Sequence, residues 1–415
     1  MFDARVRYAM ALVVAGQVGC SLLVGDSASS GDTADASQDN AGADGSSAID
    51  AMGCDPFQPR RVNLSIVPAP VTLSLGDAGE YLVDTAADPI VILDPVGSEV
   101  AASAFLHTQP GGPDMAVLHA TDAFIADGAT LRAVGPRPLV IAAEGSIVVE
   151  GRIDVGSRIE YPKPGAGADF SACAASTGDP GVDGPINSGG GGGGGGGFAA
   201  TGGKGGGGSG GGAGGDGGAP ILGAPSPLRA GCAGGFGGVS QNAGTTPAPG
   251  GSGGGAVQLS AACQIEVTST GHINAGGSGG SKALLGRSGG GGGGSGGMIE
   301  LDAPLIVVTG RLSANGGGGG DGRTDNAAGS DGQNALDASQ AAGGTSFAGI
   351  ACDSACGDGG WVTSTPGEAG FTGVSGGRGG EGGGGGVGFV TMCTTGTAPM
   401  VTGVVSPDGS SCAPL

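Results

Sequence analysis

Apolar and polar residues alternate along this chain in short runs. Between Arg61 and Ala120 the alternation picks out Val62, Leu64 and Ile66, then Val71, Leu73 and Leu75. A period of two is that of half-buried strands. Pro68 and Pro70 interrupt the first pair, Gly76-Asp77 and Asp84-Thr85 read as turns, and Ile90-Val91-Ile92-Leu93 is a further strand candidate. Residues 57–122 are therefore expected to form a small β-rich N-terminal cap.

Further on, the alternation becomes a repeat. Ile147, Val149, Gly151, Ile153 and Val155 recur as Ile306, Val308, Gly310, Leu312 and Ala314. A third copy, Ile265 and Val267 followed by Gly271, Ile273 and Ala275, carries two extra residues before its glycine. Leu139 and Ile141, Val257 and Leu259, and Ile299 and Leu301 each supply a short strand before the repeat core, and Phe389, Val401, Gly403 and Val405 form a degenerate last copy. Strands this short cannot bury an apolar face alone, so copies must stack. The expectation is an all-β chain, a parallel β-helix or β-solenoid over residues 123–415, with long glycine-rich loop insertions leaving it.

Those insertions set the composition. Glycine supplies 101 of 415 residues, against an ordinary share of ~7%, and nine glycines run consecutively through 189–197. Two physical states compete for such segments: disorder, usual for Gly/Ser-rich chains, and packed polyglycine helices with three residues per turn. Composition favours disorder or partial order. Collagen is excluded because no strict Gly-X-Y period is kept.

At the N-terminus, Arg5 and Arg7 precede an apolar run from Ala9 to Gly16 and then Gln17-Val18-Gly19-Cys20, the pattern of an export signal. A small residue directly before Cys20 resembles a bacterial lipobox, which implies lipidation of Cys20 and a signal segment over residues 1–20. Gln17 departs from the apolar residue preferred there; an ordinary cleaved signal and an uncut anchor from Ala9 to Gly25 are the alternatives. Ser21 in the next position implies outer-membrane sorting. Residues 21–56, rich in Asp, Ser, Ala and Gly, cannot bury enough apolar surface to order themselves and read as a disordered acidic tether. With Cys20 set aside, Cys54, Cys173, Cys232, Cys263, Cys352, Cys356, Cys393 and Cys412 remain, an even set that points to disulfides in an exported chain. A zinc site is the other reading, but the only short spacing is Cys352 to Cys356.

The stretches GPRPLVIAAEGSIVVEGRIDV (Gly135 to Val155), GGSGGGAVQLSA (Gly250 to Ala261) and GGSGGMIELDAP (Gly293 to Pro304) resemble glycine-rich predicted lipoproteins of predatory and gliding soil bacteria, often compared with mycobacterial PGRS proteins. The likeness covers the lipobox, tether and repeats. It implies a surface location and no particular activity, and the helical N-terminal module of the mycobacterial proteins is missing here.

Net charge is −21, with 16 basic residues against 37 acidic, which argues against binding the phosphate backbone of nucleic acid. Only His107, His119 and His272 could serve as imidazole catalysts, and no nucleophile motif surrounds them. His272 occupies the repeat position held by Arg152 and Arg311 in the other copies, an outward polar slot. Asp321 and Asp325 could be invoked as a glycosidase pair, and Gly316 to Asp321 matches the start of a calcium nonapeptide until Arg323 breaks it. Catalytic, cofactor and metal residues are accordingly assigned as none. The sequence predicts a non-catalytic structural or adhesive lipoprotein of the cell envelope, anchored in the outer membrane and surface-exposed, or otherwise secreted. Its partners would be the membrane, through the N-terminal lipid, and a polysaccharide or surface protein. A polysaccharide-cleaving enzyme on the same β-helix, or a polysaccharide- or ice-binding scaffold, is the alternative.

Overall fold

The repeat residues meet in register because the copies pair as parallel strands. The structure, a computed structural model, describes residues 54, 59–64, 68–168, 173–241, 246–284, 286–323, 329–344, 357–373, 378–395 and 397–412. The expected signal segment with Cys20, the expected tether apart from Cys54, and Cys352, Cys356 and Asp325 lie outside them. Gly53–Leu415 is one compact unit.

The N-terminal strands are β1 (Val71–Leu75), β2 (Gly79–Asp84), β3 (Ile92–Leu93), β4 (Glu99–Val100), β5 (Ser103–His107), β6 (Met115–Ile125) and β7 (Ala129–Val134). The repeat copies follow as β8 (Leu139–Ala143), β9 (Ser146–Val149) and β10 (Arg152–Asp154), then β11 (Ala256–Ala261), β12 (Gln264–Val267) and β13 (His272–Asn274), then β14 (Met298–Asp302), β15 (Leu305–Val308) and β16 (Arg311–Ser313). The last copy is β17 (Phe389–Cys393), β18 (Met400–Val401) and β19 (Val404–Ser406), closed by β20 (Ser410–Ser411). Leu139, Val257, Ile299 and Val390 lie side by side. So do Ile147, Ile265 and Ile306, and Ile153, Ile273, Leu312 and Val405.

The expected β-helix with a separate cap does not survive this topology. The columns β8-β11-β14-β17 and β9-β12-β15-β18 are not independent solenoid faces. They join through β6, whose first half pairs with β8 and whose second half pairs with β9. The result is one 12-stranded, largely parallel sheet, sheet A, curled into a half-barrel. Facing it is an eight-stranded mixed sheet, sheet B, in the order β19-β16-β13-β10-β7-β2-β3-β4. The N-terminal strands form no cap of their own: β2 pairs with β7 and β1 with β6, so both run into the same two sheets. Val62 and Leu64 are not in a strand; Val62 is buried against the outer face of sheet A.

The core lies between the two sheets, where Ile141, Ile147, Leu259, Ile265, Leu301 and Ile306 from sheet A meet Leu131, Ile153, Ile273 and Leu312 from sheet B. Each such side chain contributes roughly 1.5–3 kcal/mol by leaving water. Sheet A is covered on its other face too. Val140, Ala256, Met298 and Phe389 pack there against Phe198, Leu228 and the Cys173–Cys232 disulfide. Burial on both sides explains why β8 and β11 read as unbroken buried runs.

What covers that face is the glycine-rich sequence itself, and its described segments take the packed-helix alternative instead of the disorder that composition favours. The N–H groups of 189–197 donate in a cycle of three. Gly191, Gly194 and Gly197 donate to Val182, Asp179 and Ser176. Gly192 and Gly195 donate to Gly206 and Gly203, and Gly190, Gly193 and Gly196 to Arg287, Gly290 and Gly293. A three-residue cycle is the screw of polyproline II. Segments 211–218, 234–239 and 378–388 donate back to the same nine residues, so this rod is enclosed by six others. The parallel segments 189–197, 288–297 and 378–388 also bond in a ring. Gly193 donates to Gly290, Gly293 to Gly383 and Gly383 to Gly193.

Such contact leaves no room for a side chain. A Cβ on Gly192 would lie 1.8 Å from the Glu381 carbonyl oxygen, and one on Gly195 1.9 Å from that of Gly384. The run of nine glycines is thus a packing requirement set by six backbone neighbours, and its polar groups are satisfied within the body instead of by water. Three excursions build this body, leaving sheet B after β10, β13 and β16 and returning to β11, β14 and β17.

Candidate functional site

The chemistry of the strand half gathers on sheet B. Strands β7, β10, β13 and β16 place Thr130, Arg152, His272 and Arg311 in one transverse row, so the slot inferred for His272 exists as a ladder. Along this row runs a groove of about 410 Å³, lined also by Asp127, Ser269 and Thr270. Ser269 and Thr270 belong to the longer turn before Gly271, where the third repeat copy has its two extra residues. The insertion leaves the strand register intact and instead furnishes the groove wall.

Beneath the row, Asp154 is fully buried among three arginines. Its Oδ2 accepts from Arg132 Nη1 at 2.8 Å and from Arg158, and Arg152 Nη2 lies at 3.7 Å. Its Oδ1 accepts from the Gly156 N–H at 3.0 Å and from Asn274 Nδ2 at 2.9 Å. Burial opposes the charge, yet Arg132, Arg152 and Arg158 together hold the carboxyl below its ordinary range. The guanidiniums of Arg132 and Arg158 stack on Tyr161, 4.7 and 5.4 Å from the ring centroid.

A hydrogen-bond chain links this hub to the groove. Asn274, which donates to Asp154, accepts from Ser313 Oγ at 2.9 Å, and Ser313 Oγ lies 2.8 Å from His272 Nε2. Because the serine proton points to Asn274, Nε2 must carry the imidazole proton and Nδ1 is an acceptor. Burial, then Arg152, pushes the His272 pKa down to about 4, so the ring is neutral at pH 7. Arg152 donates from Nη2 to the Leu336 carbonyl at 2.6 Å, while its Nε is buried with no partner. The Arg311 side chain makes no hydrogen bond among the described residues; Asp337 is the carboxylate whose charge reaches it, along with His272 and Arg152.

A second cluster lies inside the glycine body. Arg378 Nη2 donates to Asp321 Oδ1 at 2.9 Å and to Glu381 Oε1 at 2.8 Å, and all three side chains are buried. Burial, then the neighbouring Asp321, raises Glu381 to about 7, so the two carboxyls share a proton. Asp321, considered in sequence beside Asp325, thus pairs with Glu381 on an adjacent rod. Nothing in the sequence marked Glu381 or Arg378, because rod adjacency has no local signal.

Six of the candidate cysteines form Cys54–Cys263, Cys173–Cys232 and Cys393–Cys412, with Cα separations of 5.1, 5.5 and 4.9 Å. The first closes a span of 209 residues and ties Cys54 to the turn after β11. These bridges fit an oxidising, extracytoplasmic compartment. Among the described residues no helix is long and apolar enough to cross a membrane. His107 and His119 lie on sheet A and His272 on sheet B, so the three histidines share no site. No family model, curated protein or solved structure matches the chain.

Proposed function

We propose that this chain is an exported, non-catalytic structural or adhesive protein of the cell envelope, held by lipid on Cys20. The observation that carries the reading is the glycine body. Segment 189–197 satisfies all its N–H groups against neighbouring rods. Such a rod spends its length on backbone packing and lines no cleft with side chains. Side chains project from the outermost rods, as Lys204 and Asp216 do in an exposed ion pair at 2.9 Å. A stiff body stapled by disulfides suits a part that must persist outside the cell. The buried setting of Asp321 and Glu381 supports a packing role for them over acid–base chemistry on a polymer.

The test is fractionation of cells expressing the native chain and Cys20→Ala, with detergent partition and protease shaving of intact cells. Membrane partition that vanishes in the variant, together with shaving of the native body, is the expected result. A soluble distribution unchanged by the substitution overturns the anchor, and cleavage of polysaccharide by the purified chain overturns the non-catalytic reading.

A further inference from the structure

Three features of the sheet B groove call for a ligand. Arg311 extends an exposed guanidinium that holds no partner among the described residues. Arg152 lines the groove with a partly exposed guanidinium whose Nη2 holds the Leu336 carbonyl at 2.6 Å and lies 3.7 Å from Asp154. His272 offers Nδ1 as an acceptor because its Nε2 proton is committed to Ser313.

The charge balance narrows the ligand. Asp154 serves three arginines, leaving guanidinium in excess below the groove, but Asp127 stands in its wall and the charge of Asp337 reaches Arg152, His272 and Arg311. A site meant for a small, doubly charged oxyanion would not carry those two carboxylates. They suit a ligand that presents hydroxyl hydrogens next to one negative charge, and guanidinium forks match carboxylate geometry. The Thr130 hydroxyl can donate or accept, and Thr270, whose proton goes to the Glu150 carbonyl at 2.8 Å, can accept.

We propose that this groove binds a uronate unit of an acidic polysaccharide, with Arg311 and Arg152 on the sugar carboxylate and Asp127, Thr130, Thr270 and His272 on its hydroxyls. This rests on the adhesive reading and names the class of ligand. The net charge of −21 repels a polyanion at long range, but at physiological salt that field is screened beyond ~8 Å. Capture is therefore a short-range event at the groove.

The experiment is calorimetric titration of the full, disulfide-bonded chain with trigalacturonate, with its methyl ester, and with inorganic phosphate. Arg311→Ala is the test variant, since that side chain is exposed and its loss should leave the melting temperature unchanged; Lys204→Ala, on an outer glycine rod, is the control. Expected are saturable binding of trigalacturonate, at least tenfold weakening by esterification and by Arg311→Ala, and no change with Lys204→Ala. Absent binding, equal affinity for acid and ester, or indifference to Arg311→Ala each overturns the proposal. Phosphate that binds as tightly and displaces the sugar also overturns it and reassigns the groove to small anions. A chain that binds trigalacturonate but is neither anchored nor shaved from cells would remove the adhesive reading and leave the groove intact.

Discussion

The strand half and the glycine body of this protein exclude water by opposite means. In the strand half, Ile153, Ile273 and Leu312 fill the space between two sheets with branched side chains, and stability comes from apolar area. In the glycine body the atoms that meet are backbone atoms, drawn together by hydrogen bonds in a three-residue cycle. One half tolerates a smaller residue at some cost; the other, at its enclosed glycines, tolerates nothing larger than hydrogen. The three excursions link the two, since they leave from neighbouring parallel strands of sheet B and arrive on neighbouring parallel strands of sheet A, which delivers the rods side by side.

The sharpest way to break this contrast is Gly192→Ala. Its new methyl would meet the Glu381 carbonyl at 1.8 Å, which only a backbone shift can relieve. A loss above ~4 kcal/mol is expected, read as a shifted urea midpoint. A near-neutral result would mean that the rods are not packed as described. Next in size is Asp154→Asn, which leaves Arg132, Arg152 and Arg158 around a neutral amide. Breaking a buried pair on one side costs about 3–5 kcal/mol, and a loss under 1 kcal/mol would show that the hub is solvated. Ile273→Ala should cost about 2–5 kcal/mol through lost transfer energy and a cavity, measured by the same denaturation. Most of that range lies below the loss expected for Gly192→Ala, although Ile273→Ala removes three carbons and the glycine variant adds only one.

The two halves should also respond oppositely to pH. His272 is depressed from 6.5 to about 4, so the stability of its neutral form is complete above about pH 6.5 and is lost as pH falls through 4. Glu381 is raised from 4.5 to about 7, so its contribution is complete below about pH 4.5 and is lost as pH rises through 7. Melting temperatures from pH 4 to 9 should show a broad maximum. His272→Gln should flatten its acid side and Glu381→Gln its alkaline side; exchanged effects would refute the assignment. The smallest effect is expected at Gly207, where a Cβ would meet nothing closer than 3.5 Å. Gly207→Ala should be neutral or stabilise by up to ~1 kcal/mol through the unfolded chain, which would separate enclosed from peripheral glycines in one thermal-melt comparison.

Much of the strand half was legible. Ile147, Ile265 and Ile306 share a spacing, and they pair in the structure; the polar slot of Arg152, His272 and Arg311 followed from the same alignment. What misled was the long strand β6. Its halves pair with two different strands and merge columns that the repeat alone presents as separate faces. The groove was half legible: the slot showed, but the role of Ser269 and Thr270 did not, because an insertion in a repeat has no sign that says where it projects. Asp154 sat in plain view beside Arg152, yet its partner Arg132 arrives from another strand and Asn274 from another repeat copy.

By itself, then, the sequence determined the strand register, the composition of the core and the cysteines available for crosslinking. These depend on local alternation and on spacing repeated along the chain. Only the tertiary structure decided that the described glycine-rich segments pack as ordered rods, that 189–197 lies at the centre of six neighbours, and that Asp321 meets Glu381 across two rods. A polyglycine helix carries no side chains to specify its neighbours. Its order is created by the packed backbones around it and by the strands that hold its ends.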